Sequence, residues 1–251
     1  MHKFFAKTEY LGKKVIFLPQ CHSTNEEAQR IIKSEPDPFG TVVISQYQTK
    51  GRGQRGNEWK SEPQKNALFS LILRPEFITI KTQFKLHVIT SLAIYDALFP
   101  SLGGLLRIKW PNDIYYKNQK LGGILIENSL CTDKIENSVI GIGLNVNQEN
   151  FDLPNATSLF EITQKKSEVN ELIETVIVSL EKRIKCQDNH SFGTLKREYE
   201  RRLFRFDEMK LYRDIHGDFQ GRIIGIDDTG KLIIEKSVGI QLYDLKEVAF
   251  L

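Results

Sequence analysis

The chain has 251 residues, 40% hydrophobic and 27% charged, which is the composition of an ordinary globular protein able to bury one sizeable core. A net charge of only +3 argues against a dedicated nucleic-acid binder, because such domains usually carry a strong basic excess. Three separated cysteines without a C-x-x-C pair argue against a disulfide framework or zinc site, and no stretch of about 18 apolar residues occurs, so a cytoplasmic protein without a membrane partner is expected.

The pattern of apolar residues and turn signals predicts runs of strands separated by blocks of helix. The predicted strands cover residues 14–18, 41–47, 67–74, 105–110, 113–117, 120–128 and 137–147. The predicted helices cover residues 23–33, 81–99, 167–185 and 191–204. Strands in runs favour an α+β fold, in which helices pack on a mixed β-sheet, over a βαβ alternation.

Two of the predicted helices carry recognisable end signals. The first begins at Ser23 or Thr24, each of which lies three residues before a glutamate, the spacing of a capping box. The second carries an apolar stripe and is expected to end before Pro100, because proline removes a backbone donor from a helix.

The pattern changes at about residue 206 to short strands at close spacing. Turns at His216-Gly217 and Thr229-Gly230 join these strands, which is typical of a small antiparallel barrel. The predicted domains are therefore residues 1–205, which would carry the ligand site, and residues 206–251.

The string GRGQRG at residues 51–56 satisfies the dinucleotide fingerprint G-x-G-x-x-G but lacks its structural context. A strand precedes it, yet the helix that must follow is missing, because Pro63 lies where that helix would be in mid-course. The loop of residues 48–59 instead combines three glycines with Arg52 and Arg55, whose planar side chains suit phosphate or carboxylate oxygens. We expect it to be mobile when empty and to bind an anion; a solvated basic surface loop is the alternative.

Three further segments could line a ligand site. In KWPND, Asn112 and Asp113 follow a proline turn, where the carboxylate could face Mg²⁺ or simply form an Asx turn. In KLGGILIE, Lys120 precedes two glycines that either leave room for a ligand or mark a β-bulge. In GIGLNVN, glycines at alternate positions leave one face of the strand bare, so the two strands side by side suggest a slot.

The chain closely resembles the biotin protein ligase family over nearly its whole length, in five segments that keep the family's order: STN at residues 23–25, the Gly/Arg loop, KWPND, KLGGILIE and GIGLNVN. The resemblance implies a class II synthetase-like catalytic domain followed by a small SH3-like barrel. It implies a biotin–[acetyl-CoA-carboxylase] ligase that forms biotinoyl-5′-AMP from biotin and Mg-ATP. Biotin would then pass to a lysine of a biotin carboxyl carrier domain.

The resemblance also implies roles for individual residues. The implied biotin-binding residues are Ser23, Thr24, Asn25, Gln48, Gly51, Arg52, Gly53, Gln54, Lys120, Gly122, Gly123, Gly141 and Gly143. The implied ATP-binding residues are Arg52, Arg55, Trp59 near the adenine, Asn112, Lys120 and Asn145. The implied catalytic residues are Arg52, Lys120 and Asp113, of which Asp113 is also the candidate Mg²⁺ ligand.

The implied chemistry is mainly electrostatic. A carboxylate must attack an anionic α-phosphate, and Arg52, Lys120 and Mg²⁺ would offset the repulsion. The family's loop often carries arginine where this chain has Gln54 and a basic residue where it has Asn57, so retention of the adenylate is expected to rely on Arg52 and Arg55.

Several alternatives stay open. Family members that double as repressors carry a winged helix-turn-helix before the STN segment, and only 22 residues precede Ser23 here, so DNA binding is not expected. A lipoate ligase or octanoyltransferase would share the core but need a longer apolar tunnel. A non-catalytic biotin sensor would be favoured if Arg52 or Lys120 were missing. The sequence leaves open the acceptor protein and whether two chains form a homodimer through exposed sheet edges.

Overall fold

The structure is a computed structural model that describes residues 7–186 and 192–251. The helices are α1 (Thr24–Ser34), α2 (Phe84–Leu102), α3 (Leu159–Thr163), α4 (Val169–Lys185) and α5 (Phe192–Glu200). The strands are β1 (Val15–Leu18), β2 (Val42–Ser45), β3 (Ala67–Leu73), β4 (Leu106–Lys109), β5 (Asp113–Tyr116), β6 (Gln119–Cys131), β7 (Lys134–Leu144), β8 (Met209–Asp214), β9 (Gly217–Ile226), β10 (Leu232–Lys236), β11 (Gly239–Tyr243) and β12 (Ala249–Phe250).

Seven strands form the larger sheet, in the order β1-β2-β3-β7-β6-β5-β4. β1 and β2 run parallel, whereas the other neighbours are antiparallel, so the predicted mixed sheet of an α+β fold is confirmed. In the β6–β7 pair, Gly123 lies opposite Gly143, and Leu125 lies opposite Gly141. Directly opposed residues of an antiparallel pair share a face of the sheet. Gly123, Gly141 and Gly143 therefore leave the same face without side chains.

The two faces of this sheet are covered differently. On one face, Ile140 and Ile142 of β7 belong to the main hydrophobic core, together with residues of α2 and α4. On the other face, Ala28 of α1 packs with Val43 and Val139 in a smaller buried cluster. Gly123 and Gly143 lie on this second face beyond the part that α1 covers, which leaves room for a ligand, whereas Gly141 lies against Asn25 of α1.

The predicted end of α2 is wrong. The helix continues past Pro100 and ends at Leu102, and its C-cap residue, Gly103, has a φ of +65°. Pro100 deprives only the carbonyl of Asp96 of a donor, four residues earlier, and a single missing bond in the last turn does not stop the helix. Among the described residues, the segment Ile80–Leu105 is long and apolar enough to cross a membrane, but 56% of its most apolar window is buried in the protein, as in a core helix.

The start of α1 also departs from the expectation. Ser23 is the N-cap residue, but its side chain makes no capping hydrogen bond. Thr24 lies inside the helix, and its hydroxyl group contacts Gln48 and Ser70 instead of capping the first turn. The predicted capping box is therefore absent, because the short polar side chains at this helix end turn towards the sheet.

The last part of the chain forms a second, antiparallel sheet in the order β11-β10-β9-β8-β12, where the small barrel is predicted. It docks on the larger unit through Trp110, whose indole Nε1 donates to the Gly230 carbonyl at 2.9 Å. The ring of Phe84 packs directly against Gly230. The boundary predicted near residue 206 falls between α5 and β8 and stays a prediction.

Two further differences concern the helices before that sheet. The short α3 is not predicted by the apolar pattern. The helix expected over residues 191–204 ends earlier, at Glu200, and its first residue, Ser191, lies outside the described residues.

Candidate active site

A cavity of about 210 Å³ opens on the uncovered face of the larger sheet. It lies where the N-terminus of α1, the loop of residues 48–59 and strands β5, β6 and β7 meet. The predicted site residues that line it are Ser23, Thr24, Asn25, Gln48, Arg52, Gly53, Gln54, Trp59, Asn112, Asp113, Lys120, Gly123, Gly141 and Gly143. Folding therefore brings most of the sequence-derived site together in one place.

Three predicted residues have other positions, and the side chain of a fourth is not described. Gly51 borders a neighbouring cavity on the outer side of the loop. Gly122 faces the opposite side of β6, where a methyl group added to it would meet Leu144. Asn145 lines an adjoining cavity of about 440 Å³, and the side chain of Arg55 lies outside the described part of the structure.

The N-terminus of α1 presents a polar cap that is fixed by hydrogen bonds. Gln48 Oε1 accepts from the backbone N–H of Thr24 at 2.7 Å and from the Thr24 hydroxyl at 3.1 Å. The fully buried Ser70 of β3 donates its hydroxyl to Asn25 Oδ1 at 2.6 Å. Gly141 lies opposite Ser70 in the sheet, and its missing side chain leaves the space that the Asn25 amide occupies. This network fixes which donors and acceptors face the cavity.

The Gly/Arg loop is folded over the cavity in the structure. The backbone N–H of Gly53 donates to the Asn57 carbonyl at 2.7 Å, and that of Trp59 donates to the Gly51 carbonyl at 2.9 Å. These bonds double the loop back on itself around a short 3₁₀ turn, Gln54–Gly56. The expected mobility of the empty loop stays a prediction.

Trp59 lies in the slot between the bare strands. A methyl group added to Gly143 would come within 2.6 Å of the indole Cε2, and one added to Gly123 within 3.2 Å of Cζ3. The same side chain borders the adjoining cavity that contains Asn145. Trp59 therefore separates the two cavities, and Lys120 lines both of them.

Two of the predicted cations, Arg52 and Lys120, are paired with carboxylates. Arg52 Nη2 lies 2.9 Å from Glu127 Oε1, and Lys120 Nζ lies 2.6 Å from Asp113 Oδ1. All four side chains are partly exposed, so an anionic ligand can compete for each cation. The arrangement suits the neutralisation of two anions brought together between Arg52 and Lys120.

Further contacts fix the KWPND segment, which carries Asp113, next to the cavity. Lys109 donates from Nζ to the Tyr115 hydroxyl at 3.1 Å, and burial lowers the pKa of Lys109. Burial, with the nearby Asp113 carboxylate, raises the pKa of Tyr115 to about 12, so Tyr115 stays neutral. The Asn112 amide donates to the Ile124 carbonyl at 2.8 Å and so ties the turn to β6.

The carboxylates here offer limited ligation for a metal ion. Within residues 7–186 and 192–251, no group of three or more His, Cys, Asp or Glu side chains is arranged to hold one. Asp113 alone fits Mg²⁺ of the kind that is held mainly by nucleotide phosphates and water, with one protein carboxylate.

Sequence reasoning assigned no role to several residues of the site. Glu127 ends the KLGGILIE segment, and its position two and four residues after Leu125 and Gly123 puts it on the same face of β6, where it borders the neighbouring cavity on the outer side of the loop. Leu245 and Lys246, which come from the connection after β11, also line the cavity, and no local pattern marks them.

Comparison with known proteins gives consistent results. The biotin/lipoate A/B protein ligase family matches residues 17–145, and the biotin protein ligase C terminal domain matches residues 213–248. The bifunctional ligase/repressor BirA of Bacillus subtilis is 33% identical over 244 residues, which cover 95% of this chain and 74% of that protein. The biotin–[acetyl-CoA-carboxylase] ligase of Paracoccus denitrificans is 30% identical over 242 residues, which cover 93% and 99%.

Solved structures agree with these sequence relatives. A biotin protein ligase from Aquifex aeolicus in complex with biotin and ATP matches with a TM-score of 0.79 and 28% identity. The match covers 95% of this chain and 99% of that one, so it includes both sheets.

Proposed function

The chain belongs to the biotin/lipoate A/B protein ligase family and is a biotin–protein ligase, and from that premise we propose that it attaches biotin to a lysine of a biotin carboxyl carrier domain through biotinoyl-5′-AMP. The proposal is carried by one observation: two cavities meet at Lys120 and Trp59. Such a junction is where two substrates could be joined.

The first cavity suits biotin. The ureido head of biotin needs both donors and acceptors, and Ser23, Thr24 and Asn25 offer hydroxyl and amide groups for it. The slot along Gly123 and Gly143 would take the valeryl chain once the Trp59 indole shifts aside, so that the carboxylate lies near Lys120.

The adjoining cavity suits the nucleotide. Asn145 and Trp59 line it, and Lys120 would touch the α-phosphate from the same position that reaches the biotin carboxylate. Mg²⁺ would arrive with the triphosphate, be held by phosphate oxygens and Asp113, and supply further neutralisation of negative charge.

In the first half-reaction, a biotin carboxylate oxygen attacks the α-phosphorus, the bond to the bridging oxygen breaks, and pyrophosphate leaves. Lys120 moves from Asp113 towards the reacting anions, and Arg52, which uses Nη2 for Glu127, offers its other N–H donors to them, so that both offset the repulsion as charge develops. No covalent protein intermediate is needed.

In the second half-reaction, the neutral amine of the acceptor lysine attacks the acyl carbon of the mixed anhydride. The bond to the phosphate oxygen breaks, AMP leaves, and the amine loses a proton to form the amide. The loop of residues 48–59 shields the anhydride from water until the acceptor arrives. We place the reaction in the cytoplasm, in keeping with the absence of a disulfide bond among the described cysteines.

The test is pyrophosphate release from ATP with biotin, with lipoate and octanoate as parallel substrates, followed by biotin transfer to a purified carrier domain. Of the three acids, we expect only biotin to support pyrophosphate release from ATP. Release only with lipoate or octanoate would assign the chain to the acyl-transferring relatives, and biotin binding without release would indicate a sensor.

A further inference from the structure

Glu127 connects two parts of the site that are far apart in sequence. Its Oε1 pairs with Arg52 Nη2 of the loop at 2.9 Å, and its Oε2 accepts from Asn25 Nδ2 of α1 at 2.7 Å. Each carboxylate oxygen therefore holds a different element. β6 itself is fixed by its pairing with β7, where Glu127 lies opposite the buried Val139.

We propose that Glu127 is a positioning residue that couples closure of the loop of residues 48–59 to the orientation of the Asn25 amide. This inference rests on the proposed function, since it concerns how the biotin site is completed.

The Asn25 arm of this coupling depends on amide orientation. Asn25 is 2% exposed, its Oδ1 accepts from Ser70 at 2.6 Å, and its Nδ2 donates to Glu127. A rotation of the amide by 180° would set two donors against Ser70 and an acceptor against the carboxylate. Glu127 therefore selects the single orientation in which Asn25 meets a ureido ligand.

The Arg52 arm depends on charge. Arg52 is in the strand-like first part of the loop, bridged to Glu58, and its side chain is 46% exposed against 26% for Glu127. A partly exposed pair of this kind contributes modestly, so losing it favours the open loop without unfolding the protein. One rigid carboxylate thus links loop closure to head-group alignment, and the linkage acts in both directions.

The test separates the two arms with the variants Glu127→Gln and Glu127→Ala. Glutamine keeps an acceptor for Asn25 but loses the charge that holds Arg52. We expect biotinoyl-AMP to dissociate about two- to fivefold faster from Glu127→Gln, with the affinity for biotin alone changed less than about twofold. Alanine removes both contacts and should weaken biotin binding as well. Glu136→Gln, at an exposed position of β7, is the matched control and should leave both values unchanged.

A double-mutant comparison excludes a merely structural role. In an Arg52→Gln background, the Glu127→Gln change should add no further acceleration of adenylate dissociation, because its partner is already gone. The coupling would be overturned if Glu127→Gln sped adenylate dissociation fully in the Arg52→Gln background, or if it had no effect in the wild-type background. Pyrophosphate release by the wild-type protein is measured alongside: if it is absent, the proposed function fails, whereas normal release with an unaffected Glu127→Gln variant rejects only the role of Glu127.

Discussion

Lys120 occupies the position at which a single charge has the largest effect. It borders both cavities and already holds a carboxylate at 2.6 Å. A charge-assisted hydrogen bond contributes about 1.5–3 kcal/mol, so Lys120→Gln should slow adenylate formation by about one to two orders of magnitude. Single-turnover pyrophosphate release measures this, with the exposed Lys117→Gln as control. If both variants released pyrophosphate at the same rate, Lys120 would have no part in adenylate formation.

Gly143 offers a second residue-scale prediction. A methyl group there would come within 2.6 Å of the Trp59 indole, closer than side-chain carbon atoms approach one another. Gly143→Ala should therefore displace the indole and narrow the slot, raising the KM for biotin about tenfold or more, since one misplaced contact costs 1–3 kcal/mol. Gly104→Ala, at a position with open space around it, is the control. An unchanged KM would mean that biotin does not pass this strand.

Local motifs carry the residues that could be predicted at this scale. Short strings with glycines, Arg52 and Lys120 indicated part of the lining of one cavity, and the resemblance to the ligase family supplied the polar residues at the start of α1, Gln48 and Trp59. Ser70 could not be found this way, because only its pairing opposite Gly141 brings it to Asn25. The same holds for Leu245, which reaches the cavity through the docking of a separate sheet.

Among the elements, α4 has a second task besides packing in the core. Its buried Glu181 accepts hydrogen bonds from the backbone N–H groups of Glu9, Tyr10 and Leu11 at 2.6, 2.9 and 2.9 Å. Burial opposes ionisation, but these three groups prevail and lower the pKa of Glu181. The carboxylate thereby fastens the segment that precedes β1 to the end of α4.

We expect Glu181→Gln to lower the free energy of unfolding by about 2–3 kcal/mol at pH 7, because an amide cannot accept from three donors as an ionised group does. The folded pKa lies below the unfolded one, so this stabilisation is present above the unfolded pKa and is lost as the pH falls through the folded pKa. Urea denaturation at several pH values measures it. The exposed Glu171→Gln of the same helix should cost less than about 1 kcal/mol.

At this scale the strands and long helices follow from apolar periodicity, and their ends do not. α2 runs past Pro100 because Leu98 and Leu102, on either side of it, are buried in the core, and their burial outweighs one missing hydrogen bond. The capping box at α1 fails because Thr24 finds partners on β3 and in the loop, which are distant in sequence. Competition from tertiary contacts is therefore what limits prediction of element boundaries.

For the molecule as a whole, stability in acid should depend on His87. This residue of α2 stacks on Phe84, whose ring packs against Gly230 of the second sheet. Burial lowers the pKa of His87 from 6.5 to about 4, so the folded protein resists protonation that the unfolded chain accepts. The contribution of neutral His87 to the free energy of unfolding is fully present above about pH 6.5 and is lost as the pH falls towards 4.

The expected decline is on the order of 2–3 kcal/mol, since each pKa unit corresponds to about 1.4 kcal/mol. His87→Phe should reduce the slope of unfolding free energy between pH 6.5 and 4.5, as measured in urea. His216→Gln, at an exposed position, should keep the wild-type slope. If His87→Phe keeps that slope too, the acid sensitivity arises elsewhere.

The arrangement of the two sheets is the part of the molecule that the sequence describes least. Its turn signals indicate a second unit of short strands, and that unit is present. They do not indicate that Tyr212 and Ile223 join the same hydrophobic cluster as α2, or that Trp110 bonds to Gly230 across the junction. Such contacts depend on the shapes of two folded surfaces, which no local pattern encodes.

The presence of Leu245 and Lys246 in the cavity wall has a consequence for biosynthesis. While the polypeptide is being synthesised, the wall of the cavity stays incomplete until residue 246 has been translated and docked. A nascent chain that has not reached this residue would therefore lack a finished chamber in which to make a reactive anhydride.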